Sequence, residues 1–258
     1  NIYAHTDPGR ARANNEDSVA FDEGLRLCVL ADGMGGYNAG EVASGMTTEG
    51  LLRELSRWLQ SLDGAASARD AKRAMELCVD GVNRAVFDAA NDNAHYSGMG
   101  TTLVLGLFFG STLLLGHIGD SRCYRLRGGE FSQLTKDHSL LQEQLDAGLI
   151  TLAQAATSPN RNLVTRALGV EDAVQLELHE HRCEADDIYL MCSDGLSDMV
   201  ADEDMAQLLR AEGSLADKAQ SLVDLANENG GRDNITVLLA RVQSLPQSRG
   251  LVSRWLGR

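Results

Sequence analysis

Residues 101–134 read TTLVLGLFFGSTLLLGHIGDSRCYRLRGGEFSQL, and this stretch decides the fold class. Four short runs of strand-forming residues are separated by the pairs Gly110-Ser111, Gly119-Asp120 and Gly128-Gly129. Short runs between glycine-containing pairs are typical of antiparallel hairpins. We therefore predict a meander of antiparallel hairpins, with strands at residues 101–109, 112–119, 121–126 and 130–134.

The regions around this stretch alternate between strand blocks and helix pairs. Apolar residues at helical spacing predict helices around residues 51–62, 71–89, 202–210 and 215–226. Further strands are predicted at Ser18–Phe21 and Leu25–Ala31, joined by a turn at Asp22-Glu23-Gly24, and at Val174–His181, Ile188–Cys192 and Ile235–Val242. Strands and helices do not alternate one by one, so the pattern favours an α+β fold with antiparallel sheets inside and helices outside.

Composition excludes several classes of protein. Of the 258 residues, 43% are hydrophobic, which is enough for a core, and the formal net charge is −14. The last sixteen residues hold three arginines and no acid, so residues 1–242 carry −17. Such a negative body repels nucleic acid and anionic lipid, and we expect no nucleic-acid partner.

Cysteine use and apolar runs bear on the compartment. The five cysteines include no C-x-x-C pair, which excludes a dense disulfide framework and a cysteine-rich zinc site. No signal-peptide pattern is visible at the start, and the most apolar stretch, Leu103–Ile118, is interrupted by Gly110-Ser111-Thr112. We therefore expect a cytoplasmic protein with no transmembrane segment.

Acidic residues recur where apolar strands meet glycine or a polar turn. Each Asp-Gly pair alone would be an ordinary turn, but five such acids could converge at one rim of a sheet sandwich. Oxygen ligands without histidine or cysteine spacing suit hard cations such as Mg²⁺ or Mn²⁺. The segments are Asn15-Glu16-Asp17, Asp32-Gly33, Gly119-Asp120, Asp194-Gly195 and Asp233-Asn234.

Other chemistries find less support. The chain contains no G-x-S-x-G elbow, no P-loop and no EF-hand loop. His117 lies in an apolar strand and is typical of a core histidine. His179 and His181 share one face of a strand, where either a metal site or an exposed charged face would fit.

Six motifs in order resemble bacterial metal-dependent protein phosphatases of the PPM (type 2C) family. The resemblance covers about residues 3–242. The motifs are Thr6-Asp7-x-Gly9-x-x-Arg12-x-x-Asn15-Glu16-Asp17, Asp32-Gly33-Met34-Gly35-Gly36, Gly98-Met99-Gly100-Thr101-Thr102, Gly119-Asp120-Ser121-Arg122, Ser193-Asp194-Gly195-Leu196 and Asp233-Asn234-Ile235-Thr236.

The resemblance implies a fold and an activity. The fold would be a four-layer α-β-β-α sandwich forming a catalytic domain over residues 1–242, with a flap at about 136–170. The activity would be hydrolysis of phosphoserine and phosphothreonine in proteins, by water activated at a dinuclear Mn²⁺ or Mg²⁺ centre. Phosphorylated proteins and a cognate serine/threonine kinase would be its partners, and we expect a monomer.

By matching motif positions, the resemblance also implies the metal ligands. Asp32 would bridge the two metals. The Gly33 carbonyl and Glu16 would complete one metal, and Asp194 and Asp233 would hold the other.

Three more residues receive roles from the resemblance. Asp17 would lie at the metals near the attacking water, and Arg12 would clamp the substrate phosphate, since a guanidinium matches two phosphate oxygens. Asp120 would hold a third, weaker metal. The alternatives are that Arg12 is an ordinary surface residue and that Arg122 pairs with Asp120 in a tight turn.

One position departs from the pattern of some relatives, which have a histidine general acid directly after the Asp-Gly pair. Met34 stands there and cannot donate a proton. His138 is a candidate acid, with a hydrogen bond in the flap as its alternative role.

Residues 243–258 form a basic tail, either amphipathic or disordered. Its apolar positions Leu251, Val252, Trp255 and Leu256 fall on one helical face. Two rival functions also stay open: a two-metal phosphodiesterase or nuclease, and a module that binds phosphoproteins without turnover.

Overall fold

The computed structural model describes residues 1–36, 39–62, 66–155, 158 and 163–243. Within these ranges the chain forms two antiparallel sheets. The strands are β1 (Ile2–Asp7), β2 (Asp17–Asp22), β3 (Leu27–Met34), β4 (Gly100–Thr101), β5 (Leu103–Phe109), β6 (Thr112–Ile118), β7 (Arg122–Arg127), β8 (Glu130–Gln133), β9 (Glu177–Arg182), β10 (Ile188–Cys192) and β11 (Ile235–Arg241). One sheet has the order β1-β11-β10-β7-β8; the other has the order β2-β3-β5-β6-β9, with β4 paired to β3.

Two pairs of longer helices flank the sheets. The helices are α1 (Ala39–Gln60), α2 (Ala68–Asp92), α3 (Leu140–Asp146), α4 (Leu152–Ala155), α5 (Asp194–Ser197), α6 (Asp202–Arg210) and α7 (Leu215–Glu228). Capping boxes fix where α2 and α7 begin, because Ser67 and Ser214 each exchange hydrogen bonds with an aspartate three residues later.

The alternation of side chains along each strand separates the layers. On β3, Leu27 and Val29 pack against α1 and α2, whereas Cys28 and Leu30 point between the sheets. On the other sheet, Leu190 and its neighbours pack against α6 and α7. The predicted four-layer sandwich of two sheets between helix pairs is confirmed.

The predicted antiparallel hairpins are confirmed, but the prediction that they form one meander is wrong. Strands β5 and β6 form a hairpin in one sheet, and β7 and β8 form a hairpin in the other. The chain changes sheet at Gly119, whose φ of +98° turns the backbone out of the first ladder. The sequence pattern that predicts these strands carries no information about which of the two sheets each strand joins.

Several boundaries also differ from the prediction. Strand β1 was not predicted, because only six half-exposed residues form this edge strand. The first turn lies at residues 23–26 rather than at Asp22-Glu23-Gly24, and β9 begins at Glu177 rather than Val174. Val174 and Leu176 pack against the helix layer without entering the ladder.

The remaining predictions divide between described and undescribed residues. The flap contains α3 and α4, and the bridge between Ser139 and Val164 closes its base. The predicted tail 243–258 lies, apart from Gln243, outside the described residues. All five cysteines are free thiols. In the part of the chain that the structure describes, no helix has the length and apolar character needed to cross a bilayer.

Candidate metal and phosphate site

Asp17 and Asp32 start the site because they face each other across two neighbouring strands. They form one cross-strand pair in the register of β2 and β3. Side chains in such a pair lie with their Cβ atoms about 4.5–5.5 Å apart. The sheet therefore places two carboxylates side by side, and their like charges repel.

Ser193 connects this pair to the opposite sheet. Its Oγ donates to Asp17 Oδ2 at 2.7 Å and accepts from the Thr236 N–H at 3.0 Å. Asp194 follows directly and opens α5, so Ser193 brings the ends of β10 and β2 together. Sequence reasoning quoted Ser193 within a motif but gave it no role; its place directly after a buried strand was the available signal.

Asp17 keeps one oxygen without a hydrogen-bond partner. The residue is 9% exposed, and Oδ1 is buried with no partner among the described residues. Burial raises the pKa of Asp17, although hydrogen bonds from Thr236 and Ser193 oppose this. An orphaned carboxylate oxygen in such a place is expected where a cation or an ordered water normally binds.

The electrostatics show that the acidic residues converge. Burial, followed by repulsion from Asp17, Asp194, Asp120 and Asp233, raises the pKa of Asp32. The pKa of Asp194 is raised by burial and then by Asp120, Asp198 and Asp233 among others. Carboxylates from five separate segments therefore lie at one rim, which we call the acidic rim: Asp17, Asp32, Asp120, Asp194 and Asp233.

Glu16 and Gly33 lie where two backbones touch. The Gly33 N–H donates to the Glu16 carbonyl at 3.1 Å, and a Cβ on Gly33 would collide with the Gly40 carbonyl. The Glu16 side chain in turn packs over Gly40. Burial raises the pKa of Glu16, whereas Arg12 lowers it.

The loops of Asp194 and Asp233 also meet backbone to backbone. A Cβ on Gly195 would overlap the Asn234 carbonyl. Asn234 also ties the N-terminal motif to this loop, because its Oδ1 accepts from the Glu16 N–H at 2.8 Å and its Nδ2 donates to the Asn14 carbonyl at 2.8 Å.

Arg12 reaches the acidic rim from the solvent side. Its Nη2 donates to Asp233 Oδ2 at 2.7 Å, and its side chain is 52% exposed. A guanidinium that is open to solvent and adjacent to the acids can bind an incoming phosphate. This placement does not fit a surface residue remote from the site.

Asp120 lies at the same rim, and the alternative turn pair is wrong. Arg122 forms its ion pair with Asp137, at 2.7 Å, rather than with Asp120. Burial and the nearby Asp137 raise the pKa of Asp120 to about 6. Asp198, one turn after Asp194, is a further acidic neighbour that sequence reasoning missed.

Four of the six histidines lie near Glu177, apart from the carboxylates of the acidic rim. His117 and His138 stack with ring centroids 4.6 Å apart, and Glu177 contacts His138 at 3.1 Å and His179 at 2.8 Å. The His179 and His181 rings are 6.3 Å apart. Met34 ends β3 beside the acidic rim and offers no ionisable group.

The acidic rim fits divalent metals. Its donors are hard carboxylate oxygens, several are buried, and each raises the pKa of another. Mg²⁺ and Mn²⁺ prefer such ligands and would neutralise this repulsion.

The match to known families agrees with this site. The profile of the family described as protein phosphatase 2C matches residues 9–240, a range that includes every residue of the acidic rim. The chain belongs to the protein phosphatase 2C family. The acidic rim brings together the Asp32-Gly33 motif of one sheet with the Asp194-Gly195 and Asp233-Asn234 motifs at the ends of strands in the other.

Curated relatives of this protein phosphatase 2C chain are serine/threonine phosphatases. It is 43% identical over 257 residues to the phosphatase PstP of Mycobacterium tuberculosis, with 97% of this chain covered. The chain spans about half of that relative's length, 48%. It is 36% identical over 247 residues to the phosphatase stp of Listeria innocua, covering 95% of this chain and 96% of the relative.

A solved structure shares the fold. The catalytic domain of serine/threonine protein phosphatase PstP, in complex with two manganese ions, superposes with a TM-score of 0.82 at 40% identity. The alignment covers 95% of this chain and 98% of that one. Metal binding by that relative agrees with the donor chemistry of the acidic rim.

Proposed function

We propose that this chain hydrolyses phosphoserine and phosphothreonine in proteins, using divalent metals held at the acidic rim. The observation that carries this proposal is the convergence of five carboxylates from both sheets beside an exposed arginine. A site lined by carboxylates repels phosphate until bound cations reverse the local field. The single positive charge of Arg12 is too small to offset five carboxylates.

Each ligand has a proposed place. Asp32 would be shared by two metals, the Gly33 carbonyl and Glu16 would help to hold one of them, and Asp194 and Asp233 would help to hold the other. When bound, two Mn²⁺ or Mg²⁺ ions lower the pKa of an attacking water and neutralise the phosphoryl oxygens.

The chain's own residues supply binding and orientation. Arg12 binds two phosphate oxygens through its planar guanidinium, of which a single N–H is donated to Asp233. Asp17 is fixed by Ser193 at Oδ2, and the proposed role of this carboxylate is to orient the attacking water. These two contacts orient the phosphate and the water for in-line attack.

Asp120 is proposed to hold a third, weaker metal. It lies beside Asp194 and Asp198 but belongs to none of the segments that would hold the first two metals. Because Met34 cannot donate a proton, we propose that a water at this third metal site would protonate the leaving group.

Metal removal tests the function. Protein stripped with EDTA is expected to lose activity on a phosphoserine peptide and on p-nitrophenyl phosphate, and to regain it with Mn²⁺. Full activity after verified metal removal would overturn the proposal.

A second substrate separates the rival enzyme class. A monoesterase hydrolyses p-nitrophenyl phosphate much faster than bis-p-nitrophenyl phosphate, whereas a phosphodiesterase does the reverse. No turnover of either ester by metal-loaded protein would instead support the binding module.

Calorimetry with Asp120→Ala tests the third metal. We expect two tightly bound Mn²⁺ to remain and the weakest binding step to disappear. Activity on phosphoserine should fall more than activity on p-nitrophenyl phosphate, since only the serine oxygen needs a proton to leave. Unchanged metal binding and unchanged rates on both substrates would return Asp120 to a turn residue.

The partners follow as part of the same proposal. The substrates are proteins phosphorylated on serine or threonine, and a serine/threonine kinase supplies them. The catalytic unit is residues 1–242.

A further inference from the structure

His138 connects the turn at Gly119, the flap at Thr165 and strand β9 at Glu177. Its backbone N–H donates to the Gly119 carbonyl at 2.9 Å, and its carbonyl accepts from the Thr165 N–H at 2.8 Å. Its ring Nδ1 accepts from the Gly119 N–H at 3.1 Å, and its Nε2 contacts Glu177 Oε2 at 3.1 Å. Every polar atom of this residue, which is 7% exposed, is therefore used.

These contacts determine the tautomer. Because the Gly119 N–H donates to Nδ1, that nitrogen carries no proton, and the ring proton is on Nε2. Nε2–H then donates to Glu177, whose other oxygen contacts His179 at 2.8 Å. A carboxylate in this position fixes both the tautomer and the orientation of a histidine ring.

The same geometry argues against a metal at this cluster. Ligand atoms of His117, His138 and Glu177 lie within 4.8 Å of one another. However, the two rings are nearly parallel, with an interplanar angle of 14°, so their in-plane lone pairs cannot meet at one ion. His138 Nδ1 is also occupied by Gly119, and His117 Nε2 contacts the Lys136 carbonyl at 2.8 Å.

The contacts also exclude His138 as the general acid. Its only ring proton is donated to Glu177, and no ring atom is left to reach a substrate. Of the two roles considered from the sequence, the hydrogen bond in the flap is the one that fits.

We propose that His138, oriented by Glu177, is a positioning residue that fixes the Gly119–Asp120 turn and ties the base of the flap to it. Gly119 is held on both sides of its Cα, at its N–H and at its carbonyl, and this sets the direction of the next residue, Asp120. The effect on metal binding rests on the proposed role of Asp120 in holding the third metal.

Gly119 itself explains why a clamp is needed. Its φ of +98° is a left-handed conformation, and a Cβ there would meet Thr102 Cγ2 at 2.7 Å. Only glycine fits, and glycine is the most flexible residue. Without the clamp the turn would sample other conformations, and the Asp120 carboxylate would lose its fixed direction.

The experiment compares two substitutions at His138. The amide oxygen of asparagine can occupy the position of Nδ1, so His138→Asn keeps an acceptor for the Gly119 N–H, whereas His138→Leu removes it. Calorimetric titration with Mn²⁺ and hydrogen exchange of the Gly119 amide are measured for both. The control is His179→Asn, which changes the other contact of Glu177 at a residue that does not touch Gly119.

We expect His138→Leu to weaken the weakest Mn²⁺ step by about 10–100-fold, the usual effect of losing a partner that orients a ligand. The two tight steps should stay, and exchange of the Gly119 amide should accelerate. His138→Asn should restore most of both properties, and His179→Asn should match the wild type. A purely structural role would instead weaken all Mn²⁺ steps and would not be rescued by asparagine.

Two outcomes overturn the proposal: wild-type Gly119 exchange in His138→Leu, or wild-type Mn²⁺ binding with accelerated exchange. If His138→Leu does not fold, Glu177→Val removes the orienting carboxylate alone, and no change in Gly119 exchange there is equally decisive. Failure of the third metal itself is distinguishable, because the wild type and Asp120→Ala would then bind Mn²⁺ identically.

Discussion

Strand β10 carries an aspartate beyond each end, and the two have opposite environments. Asp187 precedes the strand and is paired: Arg127 donates to it through Nε at 2.8 Å and Nη2 at 2.7 Å, and Tyr189 donates at 3.1 Å. Asp194 follows the strand and lies among other carboxylates. The same five-residue strand therefore connects a satisfied charge with a repelled one.

The pKa values express this difference. Burial alone would raise the pKa of Asp187, but hydrogen bonds from Arg127 and from the Glu184 N–H reverse this and lower it. Burial and neighbouring acids raise the pKa of Asp194. Breaking a buried ion pair is costly because it leaves an unpaired buried charge, whereas a cluster of repelling acids lowers stability at a candidate binding site.

The largest expected effect is the loss of activity on changing the acidic rim. Asp32→Asn removes a charge that repels four other carboxylates and that we propose both metals share. Since metals supply several kcal/mol of transition-state stabilisation, kcat/KM should fall by roughly 10³–10⁴. In EDTA the variant should be at least as stable as the wild type in urea unfolding, because one repelling charge is gone. Near-normal turnover, or clear destabilisation of the metal-free protein, would contradict the comparison.

The matching change before β10, Asp187→Asn, should lower stability and leave activity unchanged. Asp187→Asn leaves the Arg127 charge only partly paired, and the free energy of unfolding should fall by about 3 kcal/mol. Activity per folded molecule should stay at the wild-type level, since this end is remote from the acidic rim. Adding Arg127→Met to Asp187→Asn should recover part of the loss. Stability unchanged from the wild type would mean that the pair contributes nothing net.

The pH dependence of the metal-free protein sharpens the comparison. The folded pKa of Asp120 is about 6, above an unfolded value of about 3.9, so the folded state binds the extra proton between these values. Stability in EDTA should therefore fall as pH rises from about 4 to about 6, by on the order of 2 kcal/mol from this residue. Asp187 acts in the other direction, since its lowered pKa gives stability that is lost on acidification.

Thermal melts in EDTA and in Mn²⁺ across this range measure the effect. Bound metal should remove the decline, and Asp120→Asn should reduce it in EDTA. An EDTA melting temperature that rises steadily from pH 4 to 6 in the wild type would argue against repulsion at the rim.

The smallest effect on stability is expected at Arg12. Its ion pair with Asp233 is exposed, and such pairs contribute about 0–1 kcal/mol. Arg12→Ala should leave the melting temperature within about one or two degrees of the wild type but raise KM for a phosphopeptide about tenfold, because a charged hydrogen bond to phosphate is lost. An unchanged kcat/KM would show that Arg12 only pairs with Asp233.

Much of this could be predicted from sequence because the signals were local. Short continuous apolar runs between turn residues located β5, β6 and β10, and apolar stripes located α6 and α7. The first half of α1 was not predicted, because its buried face consists of small residues that give no apolar stripe. That face includes Ala39, Gly40, Ala43, Ser44 and Thr47.

The acids of the rim were predictable one by one, since each lies at or near the end of a strand, but their partners were not. Ser193 bonds to Asp17 across 176 residues, and Glu177 of β9 contacts the loop residue His138 across 39 residues. Such contacts depend on which sheet takes each strand, and the wrong meander shows that the pattern leaves this open. Arg122 is a further contact that the sequence pattern does not predict, because its ion pair is with Asp137, fifteen residues away, rather than with Asp120.

The glycine contacts behind the acidic rim have a consequence for ion size. Gly33 against Gly40 and Gly195 against Asn234 leave no side chain between the loops that could change rotamer. The backbones of these loops are therefore held at a fixed spacing, and the rim can expand only through its own carboxylate side chains. Mg²⁺ binds oxygen at about 2.0–2.1 Å, whereas Ca²⁺ needs about 2.3–2.6 Å and more ligands. A rim with so little freedom to expand would discriminate by ionic radius, with calcium held in a strained geometry as a competitor of the smaller ions.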